Sequence, residues 1–488
     1  MTGRRGWART GAGDHPLAGL PRLARHTPAA RQRHLDLFRA VAITAVVLGH
    51  WLLVAVSHDP AGRLTGTSAL RTLTWAHPLT WMFQVMPVFF LVGGYANAAS
   101  LTAHRRRHSG GDADWLLARG ARLVRPTTCL LLAISLAALG ARIAGADPVE
   151  IARAGWLASI PLWFLVAYLA MIALTPLTHR AHRRAGPAVP VLLLALVLAG
   201  DGLRLWSGDE VWAWGNYLFA WLAIYQVGFL WYDGRLPAGR RGALVVLLGG
   251  LAALLGLTVA GPYPISMVSI PGAAVQNSAP PSLALLALAT AQLGLALLLR
   301  DPADRWLRRP RPWLAVVALN AVALTMFLWH MAAVVLVTVG LDRLGWLPTP
   351  AVESPQWLWW RIPWVMILAV VLAALVVVFA PVEFRAAARL APRADPGGSP
   401  GAMVAAVAGY AATLTGLLWI SVSGVADRGP FGLPAGALLA YLAGALVLRL
   451  ARAARSKGWL SPRRPRRSRT PPPGRAASTP GRRRANRS

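Results

Sequence analysis

A single cysteine, Cys129, stands among 488 residues, and it lies in an apolar run. That excludes a disulfide framework and a thiolate zinc site, and leaves Cys129 as a packing residue. Charge is scarce too, at 14% of residues against 56% hydrophobic ones, and the acidic sign is the scarcer: 18 Asp+Glu face 50 Lys+Arg. A net charge of +32 spread over one folded face would suit a nucleic-acid partner. Instead, 13 of the cationic residues fall in 451–488 and seven in 1–36, both tails rich in Arg, Pro, Gly and Ser that read as disordered. No nucleic acid is expected. A phosphate-binding glycine loop, a dinucleotide fingerprint and a metal-ligand cluster are also missing, so neither a metal nor a tightly bound cofactor is expected. No small-residue cleavage site follows the first apolar segment, which reads as a retained span and not as a signal peptide.

Apolar length is what the chain has in abundance. Stretches long enough to cross a bilayer, on the order of 20 residues, occur near 37–57, 79–101, 123–145, 157–177, 187–203, 212–231, 241–260, 282–299, 313–340, 357–381, 402–423 and 432–450. The fold class is therefore an all-α integral membrane protein, a polytopic helical bundle of about 12 transmembrane helices. Arginine sets the orientation. With the N-terminus inside, the loops 102–122, 178–186, 232–240, 300–312 and 382–401 hold 18 or 19 Arg. The outer loops hold six: Arg63, Arg71, Arg153, Arg204, Arg343 and Arg428. This bias predicts both termini in the cytoplasm of a cell-membrane protein.

The stretch 33–51 begins a span yet carries Asp36, Arg39 and His50. Arg39 and His50 are eleven apart, so they fall within roughly 20° of each other on a helix face. Asp36, three before Arg39, is close enough to hold its guanidinium. Ionisable groups at membrane depth face an interior or a watered cavity, so together these residues favour a site. Arg39, ten residues and then His50, with Leu35-Asp36 just before, resembles the first-helix signature of the membrane-bound acyltransferase 3 family.

Other segments extend the resemblance. Pro87-Val-Phe-Phe-Leu-Val-Gly-Gly-Tyr95 is similar to a Phe-Phe-x-x-Ser-Gly-aromatic element, with Gly93 in place of the serine. Pro161-Leu-Trp-Phe-Leu-Val-Ala-Tyr168 is similar to a Leu-Trp-aromatic-Leu element, and both segments read as packing and shape. The ninth span carries Thr325-Met-Phe-Leu-Trp-His330, similar to a late aromatic-x-x-His element. By its residues His330 also fits a core histidine bonded to a neighbouring helix. Pro381-Val-Glu383-Phe-Arg385 resembles the closing Glu-x-Pro element without its proline, and Glu383 is expected to pair with a cytoplasmic Arg. Arg119, Arg122 and Arg125 recur at every third position before the third span. Guanidinium groups at that spacing fit either inner-leaflet anchoring or the phosphates of a donor. The segment 261–281 has no charged residue, so it reads as a re-entrant or lid element, with Ser266, Gln276 and Asn277 able to bond an acceptor, or as a loop packed over helix ends.

The resemblance covers about 33–390 and implies a ten-helix enzyme core between a basic tail at 1–32 and two additional helices within 391–450. A basic Arg/Pro-rich tail at 451–488 follows and suits anionic membrane lipid. It implies acyl transfer from cytosolic acyl-CoA, a co-substrate, to a hydroxyl of a glycan, lipid or secondary metabolite, with acetyl as the plain guess for the acyl group. His50, Arg39 and Asp36 are the catalytic candidates, and Arg119, Arg122 and Arg125 the donor-binding ones. A secondary or acceptor site would take His330, Ser266, Gln276, Asn277 and Glu383. Ala/Arg/Gly/Pro-rich usage hints at a bacterial source. The rival reading is a multi-span transporter or exporter, since twelve spans with both ends inside also fit that class. The loop 102–122 has no Asp-Arg-x-Gly-Arg type signature, and the halves show no internal repeat.

Overall fold

The computed structural model of the chain describes Thr27 and residues 31–107, 111–388 and 400–456. The expectations for the remainder of the two tails and for 389–399 fall outside those residues. Fourteen helices are needed to follow the chain, with one small hairpin. Helix α1 (Arg33–Leu53) runs into strands β1 (Val54–His58) and β2 (Leu64–Ser68), paired antiparallel from Val54↔Ser68 to His58↔Leu64. Then come α2 (Met86–Arg107), α3 (Asp112–Ile143), α4 (Pro148–Ser159), α5 (Leu162–Ala185), α6 (Ala188–Ser207) and α7 (Asn216–Tyr232). The second half holds α8 (Arg240–Leu255), α9 (Leu283–Trp306), α10 (Pro310–Ala321), α11 (Ala323–Arg343), α12 (Pro355–Ala388), α13 (Pro400–Val422) and α14 (Ala435–Ser456).

Eleven segments among the described residues are long and apolar enough to cross a membrane. Helix α7, expected at 212–231, is 17 residues because 210–213 form a 3₁₀ turn, which puts it at the short end of the spanning range. Apolar side chains pointing outward, such as Leu136, Leu192, Val245, Trp359 and Val370, give the bundle a lipid-like exterior. The chain is a polytopic all-α membrane protein.

Two boundaries differ from expectation in ways that matter for the site. The third span begins at Asp112 instead of 123, so the arginine ladder lies inside a helix of 32 residues. Asp112 and Asp114 sit in its first turn, where the helix dipole favours them. Arg105 and Arg180 hold Asp112, and Arg455 holds Asp114. Charge in that stretch hid a helix that ion pairs stabilise. The expected ninth span, 313–340, is two helices broken at Val322 (φ −115°, ψ 10°). No proline marks the break. Asn320 turns its amide Nδ2 back onto the Val316 carbonyl and onto the Asp36 carbonyl of α1, which competes with helix continuation.

Helices α2 and α7 cross at the backbone. A Cβ on Gly94 would fall 2.1 Å from the Tyr225 carbonyl oxygen, and one on Gly228 would fall 2.3 Å from that of Leu91. The small pair Gly93-Gly94 thus seats another helix. Gly94→Ala is expected to force the two apart and cost about 1–3 kcal/mol, the usual penalty of overpacking. A lowered thermal midpoint in detergent, beside an unchanged one for Gly140→Ala in open space, would register it. Helices α13 and α14 meet each other as closely at Gly416 and Gly444 and lean on α3: Tyr410 Oη donates to the Leu116 carbonyl at 2.9 Å and Tyr441 Oη to that of Val124 at 2.8 Å.

The ends of the bundle are chemically unlike. One end gathers Arg33, Arg105, Arg180, Arg183, Arg235, Arg300 and Arg455. The other carries the β1–β2 hairpin and the uncharged segment 261–282. That segment is folded into protein: Met267 and Ser266 are buried, Gln84 Nε2 donates to the Met267 carbonyl at 2.8 Å and Trp81 Nε1 to that of Ile265 at 2.7 Å. A buried cluster at its foot anchors it. Asp201 is fully buried and accepts from Tyr263 Oη (2.9 Å), the Leu283 N–H (2.7 Å) and Asn216 Nδ2 (3.3 Å), with Arg204 Nη2 at 3.0 Å. Four separate elements therefore converge on one carboxylate.

Candidate active site

His50 lies three residues before the end of α1, and His330 lies on α11. The fold brings them together: His330 Nε2 is 3.2 Å from His50 Nδ1, and the ring centroids are 5.0 Å apart. Their other contacts fix the protons. His330 Nδ1 is 2.6 Å from the Phe327 carbonyl oxygen, so it must carry the hydrogen and leave Nε2 as an acceptor. His50 Nδ1 faces that acceptor and, at 3.0 Å, the Val46 carbonyl oxygen, so it too is N–H. The arrangement leaves the lone pair of His50 on Nε2, which has no hydrogen-bond partner among the described residues. His330 is fully buried while His50 is partly exposed. One ring is a fixed support and the other presents an open basic nitrogen.

The pair is held on three helices. Trp51 Nε1 donates to the His330 carbonyl at 3.0 Å, and Trp364 Nε1 of α12 donates to the Trp51 carbonyl at 3.1 Å. Phe327 meets Phe164 edge-on at 5.1 Å, Phe164 stacks on Tyr168 at 5.7 Å, and Phe90 stacks on Trp221 at 4.7 Å. The two aromatic segments singled out in the sequence, 87–95 and 161–168, thus form one wall beside His330.

Arg39 stands about 16 Å from His50 along α1, toward the basic end. Asp36 holds it only loosely, at 3.7 Å, because Arg31 occupies both carboxylate oxygens at 2.7 and 3.0 Å. Asn320 Oδ1 takes the Arg39 Nε–H at 2.5 Å instead. Sequence reasoning missed Asn320, whose signal was a lone amide in an apolar span. Glu383 does not pair with an arginine among the described residues. Its Oε2 accepts from the Thr325 N–H at 3.0 Å and the Thr325 hydroxyl at 2.6 Å, capping α11 from a neighbouring helix at the break.

Arg122 is exposed on α3 and lies within electrostatic reach of Arg39, Arg119 and Arg452. The guanidinium of Arg119 also covers the Trp115 ring at 5.6 Å. Arg125 lies one turn beyond Arg122 on the same helix. Arg39 and the ladder make a positive surface that fits an anion. Ser266, Gln276 and Asn277 lie in the packed end segment, and all spend polar atoms on it. Ser266 Oγ donates to the Val268 carbonyl, Gln276 Nε2 to that of Ile270, and Asn277 Nδ2 to those of Pro264 and Ser266. They shape the segment nearest the His50 end of α1. No group of three or more potential metal-ligating side chains occurs among the described residues.

Residues 33–381, more than two thirds of the chain, match a family model described as an acyltransferase domain, that of the acyltransferase 3 family. Neither a curated protein nor a solved structure matches the chain.

Proposed function

We propose that this chain, which belongs to the acyltransferase 3 family of membrane acyltransferases, moves an acyl group, acetyl in the simplest case, from acyl-CoA to a hydroxyl of a glycan, lipid or secondary metabolite. The observation that carries the reading is the His50–His330 pair, with Nε2 of His50 left as the open base. In the step, the acceptor hydroxyl gives its proton to His50 Nε2 as its oxygen attacks the thioester carbon. The C–S bond then breaks, and the departing thiolate takes the proton back. While charged, the His50 ring donates through Nδ1 to His330 Nε2 and to the Val46 carbonyl, which hold it in register.

The separation along α1 divides the labour. Arg39 and Arg122 at the basic end suit the phosphates of CoA, with Arg119 and Arg125 flanking, and the slender pantetheine arm would run toward His50. Asn320 orients Arg39, and the Asp36 carbonyl in turn holds the Asn320 amide; neither residue would touch the reacting atoms. The acceptor would approach from the opposite end, beneath the hairpin and the segment of Ser266, Gln276 and Asn277. In the cell membrane the basic end and both termini would face the cytoplasm, the source of acyl-CoA.

The test is release of free CoA from acetyl-CoA by the protein in nanodiscs, with and without a cell-envelope extract as acceptor. Release that requires the extract supports transfer. Failure to bind or turn over any acyl-CoA would instead leave a transport role. His330→Leu, which cannot accept from His50, is expected to lower kcat by roughly 10- to 150-fold with little change in KM. That range corresponds to losing a hydrogen bond to a charged group, about 1.5–3 kcal/mol. A rise in KM alone would mean that His330 only shapes the pocket.

A further inference from the structure

A second basic feature lies apart from the His50–His330 pair, where α2, α5 and α7 end. A cavity of about 280 Å³ opens there, lined by Arg106, His179, His182, Arg183, Asp233 and Arg235 among others. Its floor is a buried histidine: His182 is 3% exposed, and its Nε2 donates to Asp233 Oδ2 at 3.1 Å. The other ring nitrogen, Nδ1, is buried with no protein partner. Such an orphan is costly in a folded interior and points to a missing ligand. His179 is occupied on both sides, accepting from Arg105 Nη1 at Nδ1 and meeting Thr102 Oγ1 with Nε2.

The rim is cationic. Arg106, Arg183 and Arg235 make no ion pair with any described carboxylate, while nearby Asp112 is already consumed by Arg105 and Arg180. Arg235 reaches in over Gly186, at the end of α5, where a Cβ would fall 2.5 Å from its Nη1. Three guanidinium groups supply donors for the oxygens of a compact anion, and His182 Nδ1, an acceptor because Nε2 carries the hydrogen given to Asp233, would take a P–OH hydrogen. A carboxylate would leave most of those donors unused.

We propose that this cavity is a binding site for a phosphomonoester, with His182 on its floor and Arg106, Arg183 and Arg235 at its rim. Two sources present that group at this end of the bundle: the ribose phosphate of a soluble CoA donor and the headgroup of phosphatidic acid. The first source rests on the acyl-transfer reading and the second does not.

The experiment uses the full chain in phosphatidylcholine nanodiscs, as wild type, as the double variant Arg183→Gln/Arg235→Gln and as His182→Gln. Both arginines are exposed, so the double variant should keep the wild-type thermal midpoint without ligand. One arm compares binding of CoA with dephospho-CoA, and the other adds phosphatidic acid and reads the midpoint. A preference for CoA of tenfold or more that both variants lose supports the soluble source. A rise of the wild-type midpoint with phosphatidic acid, absent in both variants and with phosphatidylglycerol, supports the lipid source. Equal response of all three proteins in both arms overturns the proposal. A wild type that binds no CoA but answers to phosphatidic acid removes the acyl-transfer reading and keeps the pocket.

Discussion

His50→Ala is expected to lower kcat for CoA release by about 10²–10⁴-fold, the usual contribution of a positioned general base. The protein should fold and bind acyl-CoA as before, because the change sits some 16 Å along α1 from Arg39. His50 is also only partly buried, and the His330 ring keeps its bond to Phe327 without it. His50→Gln is the sharper probe, since an amide can replace the contact with His330 but cannot take the proton. Equal loss in both variants, with unaltered thermal midpoints, assigns the loss to base chemistry. Retention of more than a tenth of the activity in either variant would remove His50 from the step and return attention to the positive surface around Arg39.

The largest stability effect is expected away from the chemistry. Asp201→Ala should destabilise the bundle by about 3–5 kcal/mol, the cost of removing one partner from a buried ion pair. Arg204 is 4% exposed and would be left charged in the interior, while Tyr263, Asn216 and the Leu283 N–H would lose their acceptor together. Thermal unfolding in detergent with circular dichroism would show the drop. Asp201→Asn, which keeps an acceptor but not the charge, should recover part of it. An unchanged midpoint in Asp201→Ala would mean that the end segment is held by its apolar packing at Met267 and Tyr263 instead.

The bundle was legible in the sequence because membrane spans announce themselves by uninterrupted apolar length and by the sidedness of arginine. The same signal misjudged two places, each for a physical reason. The ladder Arg119–Arg125 looked like a loop edge because charge lowers hydropathy, whereas ion pairs from Arg105, Arg180 and Arg455 stabilise the helix start. The break at Val322 left no mark because the residues on both sides are apolar. A polar contact between helices, that of Asn320 with α1, accompanies it, and hydropathy is blind to such contacts.

The site was legible in part. Arg39 and His50 stood out as ionisable groups inside a span, and His330 as a histidine in another. That the two histidines touch is a tertiary fact which no spacing within one helix encodes. Asp36 drew attention through its i, i+3 relation to Arg39, but Arg31 sits just before the helix and takes the carboxylate through two bonds. Bidentate geometry outweighed proximity in sequence. The cavity around His182 left only scattered Arg and His at three helix ends, indistinguishable along the chain from ordinary inside-facing charge.

The break at Val322 bears on how the His50–His330 pair keeps its register. Helix α11 does not inherit its position from α10. Its first turn is plugged by Glu383 of α12, and its middle is pinned where Trp51 of α1 meets the His330 carbonyl. Trp364 ties α12 back to Trp51 and closes the triangle. The histidine support is thus a short rod clamped between two neighbours, with the peptide link to α10 serving as a tether and not as a strut. A tilt of α10 would be met at that joint, whereas a shift of α1, which carries both Arg39 and His50, would reach the 3.2 Å contact between the rings directly.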